Sequence, residues 1–253
     1  MSASYSKDRA VGIAIWQAPP NLSKEDFEAK LTNMVDKLVA VPIAQKNYVK
    51  YEMMFQTAFA SEELMVHGVA EGAPSVWMIA ECATVAEYLE IFEDPAIMNV
   101  LRDGKDNVYG GHPIAKASLG DVRVWIDRPV ANNRARLVCA VQRPGNFSVD
   151  GYRKAIEAFA DRFPGFSIVQ KNVVKHWVWF PHNTVDTHVS AIGLSAPAPD
   201  LAICVVETES HDGMIEMLND SDFKTYMEDG RRELNIHIGS SYFVANVVTK
   251  INK

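Results

Sequence analysis

The sequence predicts an α+β fold in which two ferredoxin-like βαββαβ repeats form one intramolecular α+β barrel, a pseudo-dimer within a single chain. Three observations predict it: the sequence repeats itself, each copy shows the same order of strand and helix patterns, and several strands are apolar on both faces. With 253 residues, 48% of them hydrophobic, the chain is long enough to bury two such repeats. We place the first repeat at residues 1–130 and the second at residues 131–253.

The internal repeat is visible in two long matches. The stretch QAPPNLSKEDF at 17–27 matches QRPGNFSVDGY at 142–152 with a shift of 125 residues. Further along, the segment at 75–105 matches the segment at 201–231 with a shift of 126 residues. A drift of one residue over this distance corresponds to a single loop insertion, and chance matches do not keep register over so many elements. The chain is therefore predicted to be a duplication.

Each copy has the patterns of four strands and two helices. Ser23 and Ser148 are placed as N-caps, followed by apolar residues at helical spacing. In the first copy the predicted strands are 11–17, 47–56, 75–82 and 121–127, with helices at 23–39 and 84–103. In the second copy the predicted strands are 136–142, 166–178, 200–207 and 241–249, with helices at 148–163 and 211–230. The polar stretch 127–134, which contains a proline, is the predicted linker.

Strand composition predicts how the two copies meet. VGIAIWQ, VWMIAEC and LAICVVE are apolar at nearly every position, so both faces of these strands should be buried. The helices of a βαββαβ unit cover one face of its sheet, and the sheet of the other copy is expected to cover the second. This gives an eight-stranded barrel with the helices outside. We expect a monomer, with any homodimer formed through outer surfaces.

The repeat order and the phrase PPNLSKEDF resemble the EthD-type members of the dimeric α+β barrel superfamily, in which a Pro-bearing turn precedes a Ser-capped helix. The segment FEDPAIMNVLRDGKDNV is similar to the second helix of that family. The resemblance implies activities that include cofactor-free oxygenation, isomerisation and cyclisation. Many EthD-type repeats carry an acidic–His pair in the first helix, whereas NMVDKLV and AFADRFP contain no histidine here.

Three connections of each copy lie at the same end of its sheet and carry the candidate site. Imidazole titrates near neutrality and is the usual general acid or base. The catalytic candidates on these connections are His67, His112, His188 and His237. The candidate substrate-binding residues are Gln17, Asn21, Gln142, Asn146, Trp77, Trp177 and Trp179.

Structural roles for the same residues stay open at this point. Asparagine side chains close turns, histidines at helix ends interact with the helix dipole, and paired tryptophans pack between sheets. Asp36 and Asp161 lie beside the apolar stripe of the first helix of each copy and are expected to pair with a neighbouring Lys or Arg.

Composition excludes several classes of function. A net charge of −7 argues against a nucleic-acid partner, and no apolar run suits a membrane partner. The three cysteines lie in apolar runs without metal-ligand spacing, so we expect no metal and a cytoplasmic protein. Haem occurs in relatives of the superfamily, but the histidines that could hold it, His176 and His211, are not repeated; we therefore expect no cofactor.

These observations favour a cofactor-independent enzyme that acts on a small, apolar, oxygenated molecule by general acid–base chemistry. Isomerisation, cyclisation, dehydration and oxygenation all remain open, and secondary metabolism is the expected setting. The alternative is a non-catalytic ligand-binding or stress-response barrel, in which no titrating group faces the pocket.

Overall fold

The computed structural model describes residues 4–5, 9–68, 74–109, 115–129, 134–182, 190 and 201–253. The first copy contains β1 (Ser4–Tyr5), β2 (Ala10–Gln17), α1 (Lys24–Val39), α2 (Pro42–Asn47), β3 (Tyr48–Gln56), α3 (Ser61–Val66), β4 (Ser75–Cys82), α4 (Val85–Glu93), α5 (Pro95–Gly104) and β5 (Ala115–Asp127). The second contains β6 (Ala135–Gln142), α6 (Val149–Arg162), α7 (Ser167–Asn172), β7 (Val173–His182), β8 (Leu201–Thr208), α8 (His211–Asn219), α9 (Ser221–Leu234) and β9 (Ser241–Asn252).

The sheet closes into the predicted barrel. Within the copies the strand orders are β5-β2-β4-β3 and β9-β6-β8-β7, and every neighbouring pair is antiparallel. The copies join through β3–β9 and β5–β7, so each copy covers both sheet edges of the other. The short β1 adds beside β5. The α+β barrel of two βαββαβ halves is therefore confirmed.

Local chemistry explains where the helices begin. The Ser23 and Ser148 hydroxyls accept hydrogen bonds from Asp26 N and Gly151 N, each at 3.1 Å, and cap α1 and α6 as predicted. The second helix of each copy, predicted as continuous, is instead two helices. An N-cap interrupts this helix in both copies. The carboxylate of Asp94 in the first copy, and that of Asp220 in the second, accepts hydrogen bonds from backbone N–H groups in the first turn of the following helix.

Two strand boundaries differ from the prediction. β7 begins at Val173 rather than at 166, because residues 163–172 form a 3₁₀ turn and the short helix α7. The first copy has the equivalent helix α2, which was also missed. β5 begins at Ala115 rather than at 121, since pairing with β2 imposes extended structure on residues of weak strand preference.

Three apolar cores result from this arrangement. The barrel interior is filled in its middle by large side chains that include Met54, Trp77, Trp179 and Phe243. The other two cores lie between the sheet and the outer helices, one in each copy. None of the described helices has the length and apolar character needed to cross a bilayer.

The expected surface pairs of the two aspartates are present. Lys250 Nζ lies 2.5 Å from Asp36 Oδ1, and Arg123 Nη2 lies 3.7 Å from Asp161 Oδ1. Both carboxylates are about half exposed, so they act as solvated partners of basic residues.

Candidate active site

A cavity of about 70 Å³ lies between the sheet and the helices of the second copy. Its walls are almost entirely apolar, with two histidines and two cysteines among them. The lining residues that matter for the chemistry are His67, Cys139, His176, Cys204, Tyr226 and Tyr242. Because α6 and α9 close it from outside, a group bound there would be shielded from water.

His176 supplies the cavity with a buried imidazole. It is 2% exposed and lies on the helix-covered face of β7, since alternation along the strand turns Trp177 to the barrel interior. Its Nε2 is 3.4 Å from Cys204 Sγ, and its ring packs 4.6 Å from the ring of Phe163. Within the described residues, Nδ1 has no hydrogen-bond partner.

Burial determines the charge state of this His–Cys pair. Loss of solvent lowers the pKa of His176 to about 3, so the ring is neutral at neutral pH. The same effect raises the pKa of the Cys204 thiol to about 12. A neutral imidazole can therefore act as a proton acceptor, whereas Cys204 is not a thiolate nucleophile.

His67 reaches the same cavity from the other copy. It follows α3, in the β3–β4 connection of the first copy, and packs edge-on to Phe223 with ring centroids 5.6 Å apart. Its Nε2 lies 3.3 Å from the carbonyl oxygen of Leu218. Burial lowers the pKa of His67, although the contact with this carbonyl opposes the effect. The first copy therefore contributes α3 and His67 to the wall of a cavity that lies in the second copy.

The corresponding region of the first copy is filled by different side chains. At the repeat shift, Tyr51 stands where the second copy has His176, and Met78 stands where it has Cys204. Tyr51 donates to Met78 Sδ at 3.1 Å, and Trp16 and Tyr109 pack edge to face at 4.7 Å. Only about 40 Å³ remains open there. The two copies have therefore diverged, and the two cavity-lining imidazoles, His67 and His176, both reach the cavity of the second copy.

The other predicted site residues do not line this cavity. His112 and His188 fall outside the described residues. His237 is partly exposed and lies beyond the lining, although its Nδ1 is buried and has no described partner. The polar candidates Gln17, Asn21 and Asn146 are exposed, and Gln142 is partly exposed. Trp77, Trp177 and Trp179 face the barrel interior instead.

The described residues give little support for a bound metal or haem at this place. They contain no group of three His, Cys, Asp or Glu side chains arranged to hold a metal ion. The cavity of about 70 Å³ is also smaller than an engineered cavity of roughly 150 Å³ that binds benzene, so a group as large as haem does not fit unless the surrounding elements are displaced.

No protein-family model and no curated protein matches the chain. Solved structures match it over nearly its whole length. One, called "putative monooxygenase", from Fusobacterium nucleatum, is 6% identical with a TM-score of 0.59, covering 98% of this chain and 97% of that chain. An anthrone oxidase-like protein is 9% identical with a TM-score of 0.58, covering 98% and 96%.

A second "putative monooxygenase", from Lactobacillus acidophilus, is 7% identical with a TM-score of 0.51 and 96% coverage of both chains. Identities this low establish a shared fold and nothing finer. The chain has the dimeric α+β barrel fold, here closed within one polypeptide.

Proposed function

We propose that this chain is a cofactor-independent enzyme that oxygenates a small, apolar aromatic molecule in the cavity of the second copy. The observation that carries the proposal is the neutral, buried imidazole of His176, whose Nδ1 has no partner among the described residues. An apolar cavity with a few convergent polar groups and a strongly shifted pKa is the usual form of a small-molecule site.

The substrate class follows from the lining. Apolar walls favour a hydrocarbon ring, and a neutral base favours a neutral ligand that carries one acidic hydroxyl or an activated C–H group. When Nε2 carries the imidazole proton and donates to Cys204, Nδ1 is free to accept a proton from the ligand. His67, also held neutral by burial, is the second candidate acid or base.

Proton removal prepares an electron-rich aromatic for reaction with dioxygen. In an anthrone-type substrate, the carbanion formed at the CH₂ group reduces O₂ and combines with it to a hydroperoxide. Loss of water then leaves a carbonyl, so that R₂CH₂ and O₂ become R₂CO and H₂O. The substrate supplies all the electrons, and His176 returns its proton to the departing oxygen. The names of three structural neighbours, two called "putative monooxygenase" and one called anthrone oxidase-like, support oxygenation over isomerisation or cyclisation.

Entry of a ring requires side chains to move, because the cavity is smaller than a ring-sized site. The flexible residues in its wall include Leu64 on α3 and Met227 on α9. α3 has only six residues, and its Met65 and Val66 are 55% and 66% exposed. Displacement of this short helix is the proposed route of entry.

Oxygen uptake tests the proposal. Wild-type protein is compared with His176→Phe, His67→Ala and the exposed control His211→Gln, using anthrone and a set of naphthols as substrates. We expect His176→Phe to lower turnover by roughly 10²- to 10⁴-fold, the usual contribution of a positioned base, and His211→Gln to have no effect. Ligand binding without oxygen uptake in the wild type would instead identify a non-catalytic binding protein.

A further inference from the structure

A second, larger cavity opens at the end of the barrel opposite the connections that carry the predicted site. It has a volume of about 570 Å³, within the range of small-molecule sites. It shares no lining residue with the cavity that contains His176. We call it the charged mouth. Its charged residues are Arg9, Lys50, Arg134, Arg136, Lys175, Lys253, Glu52, Glu81, Asp127 and Glu207.

Part of the charged mouth is duplicated between the copies. Arg9 recurs as Arg134, and Glu81 as Glu207, at the repeat shifts of 125 and 126. The ion pair between Arg9 Nη1 and Glu81 Oε2 measures 2.9 Å, as does the pair between Arg134 Nη1 and Glu207 Oε2. The pair formed by Arg9 is the more exposed of the two, whereas Glu207 is 1% exposed and also binds Arg136.

Deeper in the charged mouth, the residues of the two copies differ from each other, and this difference gives the mouth two unlike walls. Arg136 occupies the position of Val11, and Glu52 the position of Trp177. In the strand order of the closed barrel, β6 lies opposite β2, and β3 lies opposite β7. One wall is therefore charged, and the wall facing it is apolar and carries an indole ring.

The charged wall is buried. Arg136 and Glu52 are each 1% exposed. The guanidinium donates from Nη1 to Glu52 Oε2 at 2.6 Å and from Nη2 to Glu207 Oε1 at 2.8 Å. Burial by itself would raise the pKa of Glu52, but Arg136 and Lys50 outweigh it and hold that pKa at about 2. Arg136 Nε has no partner within the described residues, so this network is not fully satisfied by the protein alone.

The charged mouth is also more positive than the protein as a whole. Six basic and four acidic side chains line it, although the chain carries a net charge of −7. A cavity lined by an excess of one charge concentrates ligands of the opposite charge. An apolar wall that carries the partly exposed indole of Trp177 suits a flat ring.

We propose that the charged mouth binds a small aromatic carboxylate, with its ring against Trp177 and its carboxylate toward Arg134, Lys50 and Lys175. The ligand is an anion, whereas the cavity of the second copy is proposed to take a neutral molecule. The two sites are therefore separate in place and in chemistry, and this proposal does not depend on the proposed oxygenation.

Calorimetric titration with benzoate tests the proposal, with benzyl alcohol as the neutral analogue. We expect saturable benzoate binding that weakens as salt rises, quenching of tryptophan fluorescence, and no saturation with benzyl alcohol. Lys175→Gln should weaken benzoate binding roughly tenfold, which corresponds to about 1.4 kcal/mol. Lys175 contacts the exposed Asp127, so this variant is expected to fold normally.

Two matched variants complete the design. Lys46→Gln removes an exposed lysine that lies outside the charged mouth and should leave benzoate binding unchanged. Trp177→Leu should weaken binding and abolish the fluorescence change, whereas His176→Phe should affect neither. Equal benzoate affinity in Lys175→Gln, Trp177→Leu and wild type would overturn the proposal, and the network would then have a structural role only. No saturable binding to the wild type would overturn it as well.

Discussion

Protonation of His176 is opposed by the fold, and this makes the stability of the protein depend on pH. The folded chain holds the pKa of His176 at about 3, whereas a histidine in an unfolded chain titrates near 6.5. Between these values the unfolded chain binds one proton more than the folded chain. The free energy of unfolding therefore falls as the pH drops through about 6.5, and it continues to fall until the pH reaches about 3.

The size of the effect follows from the two pKa values. Each pH unit within the window removes about 1.4 kcal/mol. Between about pH 7 and about pH 5, His176 alone should therefore lower the free energy of unfolding by about 2 kcal/mol. That is a large part of the roughly 5–15 kcal/mol that stabilises a typical domain.

Urea unfolding of wild type and His176→Phe at both pH values isolates this contribution. The phenyl ring keeps the packing against Phe163 and cannot be protonated, so the variant should lose about 2 kcal/mol less than the wild type on acidification. The control His211→Gln removes an exposed histidine and should lose as much as the wild type. If His176→Phe and wild type lose stability equally, His176 is not buried in its neutral form, and the argument for a neutral base fails.

Three further outcomes are expected. Arg136→Met removes the buried cation that Glu52 and Glu207 share and leaves Glu52 with only Lys50 and Arg134 as partners. This variant should lower the free energy of unfolding by about 3 kcal/mol; a change in urea midpoint no larger than that of a surface variant would contradict this. Gly120→Ala places a Cβ 2.3 Å from Trp179 Cε2 and should lower the free energy of unfolding by roughly 1–3 kcal/mol. Gly145→Ala, whose Cβ would have nothing within 4 Å, should lower it far less. Equal melting temperatures of the two variants would refute the close approach at Gly120. Light scattering should give the mass of a monomer, because each copy already covers the sheet edges of the other, and an obligate dimer that dissociates only on unfolding would count against this.

The fold was predictable because the duplication and the strand composition both indicate the same two-sheet barrel. Strands that are apolar on both faces require two covering layers, and a chain that repeats itself supplies the second. The boundaries were less predictable. Asp94 and Asp220 interrupt an apolar pattern that otherwise reads as one helix, because a capping side chain competes locally with helix continuation. Residues 166–172 include the apolar Phe166, Ile168 and Val169, which favoured the strand predicted from 166, yet residues 167–172 form the short helix α7.

The candidate site was predictable only in part. His67 was identified because its connection has a counterpart in the second copy. His176 was set aside because it has none, since Tyr51 stands in its place. One signal could have found it: side chains alternate along a strand, so Trp177 and Trp179 share one face and His176 has to lie on the other, beneath the helices. That α3 of one copy covers the cavity of the other depends on how the barrel closes, which no local pattern encodes.

The position of a bound aromatic ring tests the central claim most directly. Crystals grown with 1-naphthol should show the ring between the sheet and α9 of the second copy, with its hydroxyl oxygen within hydrogen-bond distance of His176 Nδ1. The same ring bound in the first copy, or only within the charged mouth, would contradict the claim that the second copy carries the active site.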